Sequence, residues 1–200
     1  MKQVVLVAPR HLALIEASAP APRFGEVLIE VKATAICGTD LHIYTGQTPV
    51  VYPRVPGHEF TGIVEQVGEG VTGFSPGDAV ALNPNLSCNN CELCILGKEN
   101  LCPNGLFMGR ETDGSLREHL TVPQFLVFKM PSHVSFAEGA LIQPLSTVVH
   151  GQRRAGIKSG ESVAVIGQGA TGLMHTRLSK LAGAYPVIAV GRSQWKLELA

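Results

Sequence analysis

Five cysteines occur in 200 residues, and four of them lie in one stretch, "CNNCELCILGKENLC", from Cys88 to Cys102. Their spacing, C-x2-C-x2-C-x7-C, puts four soft ligands on a turn-rich segment in which Asn89, Asn90 and Gly97 suit tight turns. Closely spaced thiolates on such a loop can wrap a small tetrahedral ion such as zinc. Disulfides and plain buried thiols are the competing readings, and a reducing compartment argues against the first. Four thiolates close the coordination shell and leave no position for water or substrate. Cys88, Cys91, Cys94 and Cys102 therefore read as a structural zinc site that holds its loop, not as a seat of catalysis.

The fifth cysteine lies in "ICGTDLHIY", and "PGHEF" follows about twenty residues later. Cys37, His58 and Glu59 supply thiolate, imidazole and carboxylate, the mixed donor set of a catalytic zinc with one open position. Taken singly they are weak signals: a lone Cys at a strand end is ordinarily core, and a lone His is ordinarily a satisfied polar group.

A third group sits in "VIGQGATG", where Gly167, Gly169 and Gly172 follow an apolar strand and open a helix. In that context glycines permit a tight turn, a close approach of a pyrophosphate and close helix–strand packing. The next strand ends "VIAVGRS". An NAD site carries an acid there to bind the ribose hydroxyls, whereas Gly191 leaves that place empty. Arg192 can pair with a 2′-phosphate in two-pronged fashion and Ser193 can donate to it, so the expected cofactor is NADP, with Lys196 as a further cation and NAD as the alternative. The competing reading of Arg192 is a solvated surface charge.

These groups need elements to position them. The first part of the chain is a series of short strands, "VVLVA", "EVLIEVKATAI", "FTGIVEQVG", "DAVAL", "EHLTV" and "FLVFKM", separated by Gly- and Pro-rich turns. That rhythm predicts an antiparallel, barrel-like domain. From Ser135 the spacing turns helical, with Ser135 and Glu138 placed as a capping box. "SVAVIG", "ATGLMHTRLSKLAGA" and "PVIAVG" then read as strand, helix and strand, with "SQWKLELA" opening another helix. A parallel pair of strands has unpaired edges, so residues 151–200 are expected to be the start of a larger sheet, and the chain to be a fragment or to depend on a partner.

Composition narrows the function classes. Lys and Arg number 16 and Asp and Glu 16, with no run of one sign, which speaks against nucleic acid and polybasic membrane contacts and favours a small-molecule partner. The N-terminal apolar run stops at Pro9 and Arg10, and no stretch has membrane-spanning length, so the cytoplasm is the expected compartment.

The order "CGTD–H", "GHE", four-cysteine loop, then G-x-G-x-x-G resembles the zinc-containing medium-chain dehydrogenase/reductase family, which includes alcohol, sorbitol and threonine dehydrogenases. The resemblance runs from about Met1 to Ala200, and it implies a mixed α/β architecture. A GroES-like antiparallel β-barrel catalytic domain would occupy 1–150. Residues 151–200 would form the first βαβ unit of a doubly wound Rossmann domain, and members are longer. It further implies zinc on Cys37, His58 and Glu59, a substrate hydroxyl held by Thr39, and a proton passed toward solvent by His42. The implied reaction is hydride transfer between a secondary alcohol or polyol and NADP(H), in a homo-oligomer, dimer or tetramer, when full-length. One departure stands out: the polyol branch carries a glutamate before the proline of "IQPLSTVVHG", whereas here the residue is Gln143, a poor zinc ligand expected near the metal or its water. The reading from another class is a non-catalytic zinc ribbon, or an inactive dehydrogenase fragment.

Overall fold

The structure, a computed structural model, describes all residues from Met1 to Ala200. In chain order its elements are β1 (Lys2–Ala8), β2 (His11–Glu16), β3 (Glu26–Ala35), α1 (Gly38–Thr45), β4 (Glu59–Val67), β5 (Ala79–Leu82) and β6 (Asn85–Leu86). The four-cysteine loop contains α2 (Glu92–Ile95) and a 3-10 turn at Glu99–Leu101. There follow β7 (Leu106–Phe107), β8 (His119–Pro123), β9 (Val127–Lys129), α3 (Phe136–Gly139) and α4 (Ile142–Ala155). The chain closes with β10 (Val163–Ile166), α5 (Ala170–Leu181), β11 (Val187–Val190) and α6 (Gln194–Leu199).

Two compact units result, Met1–Gln143 and Pro144–Ala200, and the division expected after His150 falls inside α4. In the first unit a five-stranded antiparallel sheet has the order β8-β3-β4-β5-β9. Its β-branched and leucine side chains, Val27, Ile29, Val64, Val80, Leu120 and Leu126, make the core. The β1–β2 hairpin stands beside this sheet, and β6 pairs with β7 next to the cysteine loop.

The pairing of β3 with β4 positions the site. Ala35 lies opposite Glu59, which brings the end of β3 beside the start of β4. The register slips between Val31 and Ala33, so Lys32 is an extra residue, a bulge that bends the strand before it reaches Cys37. Gly62 faces Val31 there, and a Cβ on it would drive into the Glu30 carbonyl, so the close approach of the two strands needs glycine.

The helical stretch from Ser135 divides into α3 and α4. Ser135 caps α3 as the spacing predicts: its Oγ accepts from the Glu138 N–H at 3.3 Å, and the Glu138 carboxylate accepts the Ser135 N–H at 2.9 Å. Thr61 docks the short helix onto the sheet by donating to the Phe136 carbonyl at 2.7 Å. The second unit holds β10 and β11 in parallel register with α5 packed on them.

Candidate active site

The four cysteines of the loop converge. Sγ–Sγ distances are 3.4 Å for Cys91–Cys94 and Cys88–Cys102, and 3.9 Å for Cys88–Cys94 and Cys91–Cys102. A tetrahedron with Zn–S of about 2.3 Å has edges of about 3.8 Å, while a disulfide needs about 2.05 Å, so the geometry is that of metal ligands. All five cysteines are free thiols. The left-handed backbone at Asn89 (φ 55°) and Gly97 (φ 69°) turns the loop around the cluster. The thiols differ in acidity: hydrogen bonding, chiefly from the Asn90 backbone, lowers Cys88 to about 6, while desolvation pushes Cys94 up to about 12. Four thiolates so close together call for a cation.

Cys37, His58 and Glu59 form a second cluster, their ligand atoms all within 4.8 Å of one another. Cys37 is the N-cap of α1, in extended backbone (φ −86°, ψ 158°), and His58 and Glu59 are 3% and 6% exposed. The fit to zinc rests on the donor set, thiolate, imidazole and carboxylate gathered at one point; buried His58 Nδ1 has no hydrogen-bond partner within the chain. Asp40 Oδ1 is 3.5 Å from it, too far for a good hydrogen bond but placed to orient the ring once the other nitrogen holds a metal. Asp40 is the residue that sequence reasoning missed. It is 6% exposed and its Oδ2 accepts the Cys37 N–H at 2.8 Å. The signal was present as the third residue after a helix-starting Cys37, but reading it required knowing that α1 starts there.

Thr39 is half-buried in the first turn of α1, and His42, exposed, follows three residues later on the same helix face. Of the apolar residues Leu86, Phe107 and Met108, which the sequence offers for the substrate cleft or for the core alike, the Phe107 ring centroid lies 4.8 Å from that of His58, whereas Met108 is 3% exposed in the sheet core and Leu86 packs against that core.

In the second unit Gly167 (φ 94°) turns the chain out of β10, and Gly169 is the N-cap of α5. A Cβ on Gly172 would collide with the Gly167 carbonyl, so glycine is required for helix and strand to close. Gln168, 4% exposed, locks the turn by donating from Nε2 to the Val165 carbonyl at 2.9 Å and accepting from Thr176 Oγ1 at 3.2 Å. A hollow of about 450 Å³ opens over Gly167 and Gly169 toward Gly191, Arg192, Ser193 and Lys196. Gly167 and Gly169 thus share one cavity with Arg192, Ser193 and Lys196, whereas Gly172 lies outside its lining.

With two metal-type clusters and a glycine turn before a helix, the comparisons with known proteins are specific. Residues 23–132 match the family described as the alcohol dehydrogenase GroES-like domain. The chain belongs to the zinc-containing medium-chain dehydrogenase/reductase family. D-xylulose reductase A of Aspergillus niger is 40% identical over 180 residues, 88% of this chain and 50% of the relative. A candidate zinc-binding dehydrogenase of Sinorhizobium meliloti 1021, bound to NADP, aligns with TM-score 0.95 and 37% identity over 99% of this chain and 58% of that one. A protein of Escherichia coli CFT073 named as a short chain alcohol dehydrogenase, complexed with NADH, aligns with TM-score 0.93 and 36% identity over 99% of this chain and 58% of that one. The chain spans about half the length of the curated relatives it matches.

Proposed function

We propose that these residues belong to a zinc-dependent oxidoreductase that transfers a hydride between a secondary alcohol or polyol and NADP. The observation that carries the reading is the gathering of Cys37, His58 and Glu59 within 4.8 Å at the mouth of α1, three donors that leave a fourth position for substrate. The name of the Aspergillus niger relative supports a sugar-derived substrate.

Zinc, when bound by Cys37, His58 and Glu59, supplies a Lewis acid that eases loss of the alcohol proton. The Thr39 hydroxyl takes that proton's hydrogen bond and orients the alcohol. His42, exposed on the same helix face, hands the proton to solvent. Asp40 is placed to orient His58 once the metal is bound, and the Phe107 ring packs at a tilt against the imidazole. Cys88, Cys91, Cys94 and Cys102 hold a second, structural zinc. Gly167, Gly169 and Gly172 make room for the pyrophosphate, and Arg192, Ser193 and Lys196 read the 2′-phosphate. The two bound-cofactor relatives divide between NADP and NADH, and the basic end of β11 supports NADP.

The full-length protein, assayed with polyols, simple secondary alcohols and threonine against both nicotinamide cofactors, tests this together with zinc content. Two zinc ions per chain and NADP-favoured turnover are expected. One zinc per chain and no turnover with any substrate would return the non-catalytic zinc-ribbon reading.

A further inference from the structure

Arg117 is held in a way that the alcohol chemistry does not use. Its Nε is buried without a hydrogen-bond partner. Burial pushes the guanidinium pKa below its ordinary value, and Asp113 only partly opposes this. Asp113 is itself paired with Arg54, at 3.1 Å, so Arg117 has no carboxylate of its own. A buried cationic donor left without an acceptor calls for a ligand or an ordered solvent partner.

Arg117 lines a hollow of about 310 Å³ together with Lys2, Lys32, Thr34, Ser115 and Glu118. Lys32 is neutralised by Glu30, and Glu118 accepts the Lys2 backbone N–H at 2.7 Å. Among the charged residues that line the hollow, Lys2 and Arg117 then outnumber the single carboxylate of Glu118, which leaves the lining net positive. The hollow lies behind the metal ligands: a Cβ on Gly57, the residue before His58, would come within 2.6 Å of Ser115 Oγ. It is also separate from the nucleotide turn, whose lining residues are all different.

We propose that this hollow binds a small oxyanion, a carboxylate or a phosphate, with Arg117 as the two-pronged donor and Lys2 as the accompanying charge. Planar guanidinium geometry matches either anion, and partial desolvation strengthens the pairing.

Thermal melting of the full chain with increasing inorganic phosphate or acetate, against chloride at equal ionic strength, tests it. A saturable rise in Tm is expected, and the tighter of the two anions identifies phosphate or carboxylate chemistry. Arg117→Gln weakens the apparent Kd about tenfold or more, whereas Arg192→Ala leaves it unchanged. If Arg117→Gln does not fold, Lys2→Gln carries the same expectation, because its side chain is exposed. No saturable rise over chloride, an unaltered rise in both variants, or a rise lost in Arg192→Ala overturns the proposal.

Discussion

Asp40 Oδ1 stands 3.5 Å from His58 Nδ1 and accepts the Gly57 N–H at 3.1 Å, while Oδ2 accepts the Cys37 N–H at 2.8 Å. One buried carboxylate thus ties the cysteine segment to the histidine segment. Asp40→Asn keeps the shape but removes the charge, and it is expected to weaken metal at the trio by about 10–100-fold, leaving the four-cysteine metal in place. Chelator competition on the full-length protein should show one release phase moved and one unmoved; two unmoved phases would remove Asp40 from the account.

Cys94 sits buried in the tetrathiolate cluster, 3.4 Å from Cys91. Cys94→Ser should lower the zinc content by one ion and lower Tm, because the loop has little else to hold it. Wild-type protein and the variant should melt alike once both have been stripped by a strong chelator.

The basic end of β11 leads to a cofactor prediction. Arg192→Ala should raise the KM for NADPH about tenfold or more and leave that for NADH little changed, the size expected for one hydrogen bond to a charged group. Gly191→Asp should act in the same direction: a Cβ there meets only Leu197 at 3.3 Å and Gln168 at 3.5 Å, both side chains that can yield. Steady-state kinetics with both cofactors decide it, and an unchanged NADPH preference in Arg192→Ala excludes the residue.

Gln143 stands where the polyol branch carries glutamate, and it precedes Pro144 in the first turn of α4. We expect zinc at the trio to be held less tightly, or with an extra water, than an acid at this position would allow. Gln143→Glu should therefore retain zinc against a chelator longer than wild type, and equal retention would refute the idea.

The Ser135–Glu138 capping box makes a pH prediction. Hydrogen bonds from the Ser135 side chain and backbone hold the Glu138 carboxyl below its ordinary pKa. A folded-state pKa below the unfolded one adds stability that is full above the ordinary carboxylate range and is lost as pH falls through the folded value. The Tm gap between wild type and Glu138→Gln should be widest near neutral pH and close in acid.

Features that depend on a few adjacent residues were legible. The strand runs, the capping box, the glycine turn and the four-cysteine spacing are each written within one short segment, where local periodicity and turn chemistry decide the outcome. The elements that went unread were short or lacked periodicity: β2, α1 and the two-residue strands β6 and β7 draw their stability from neighbours distant in sequence. The N-cap of α1 is Cys37, and the chain end of β3 decides where that helix begins.

By itself, then, the sequence determined which chemistries are present: two sets of metal donors and a phosphate-type turn, each made of the right residue types. Only the tertiary structure decided which donors meet. Cys37 reaches His58 and Glu59 because β3 pairs with β4 across a bulge at Lys32, and Asp40 joins them because α1 starts at that corner. Phe107 and Met108 are neighbours of the same apolar character, yet one touches the metal-site histidine and the other fills the core. Side-chain direction alternates along a strand, and which face meets the site is set by packing, not by residue type.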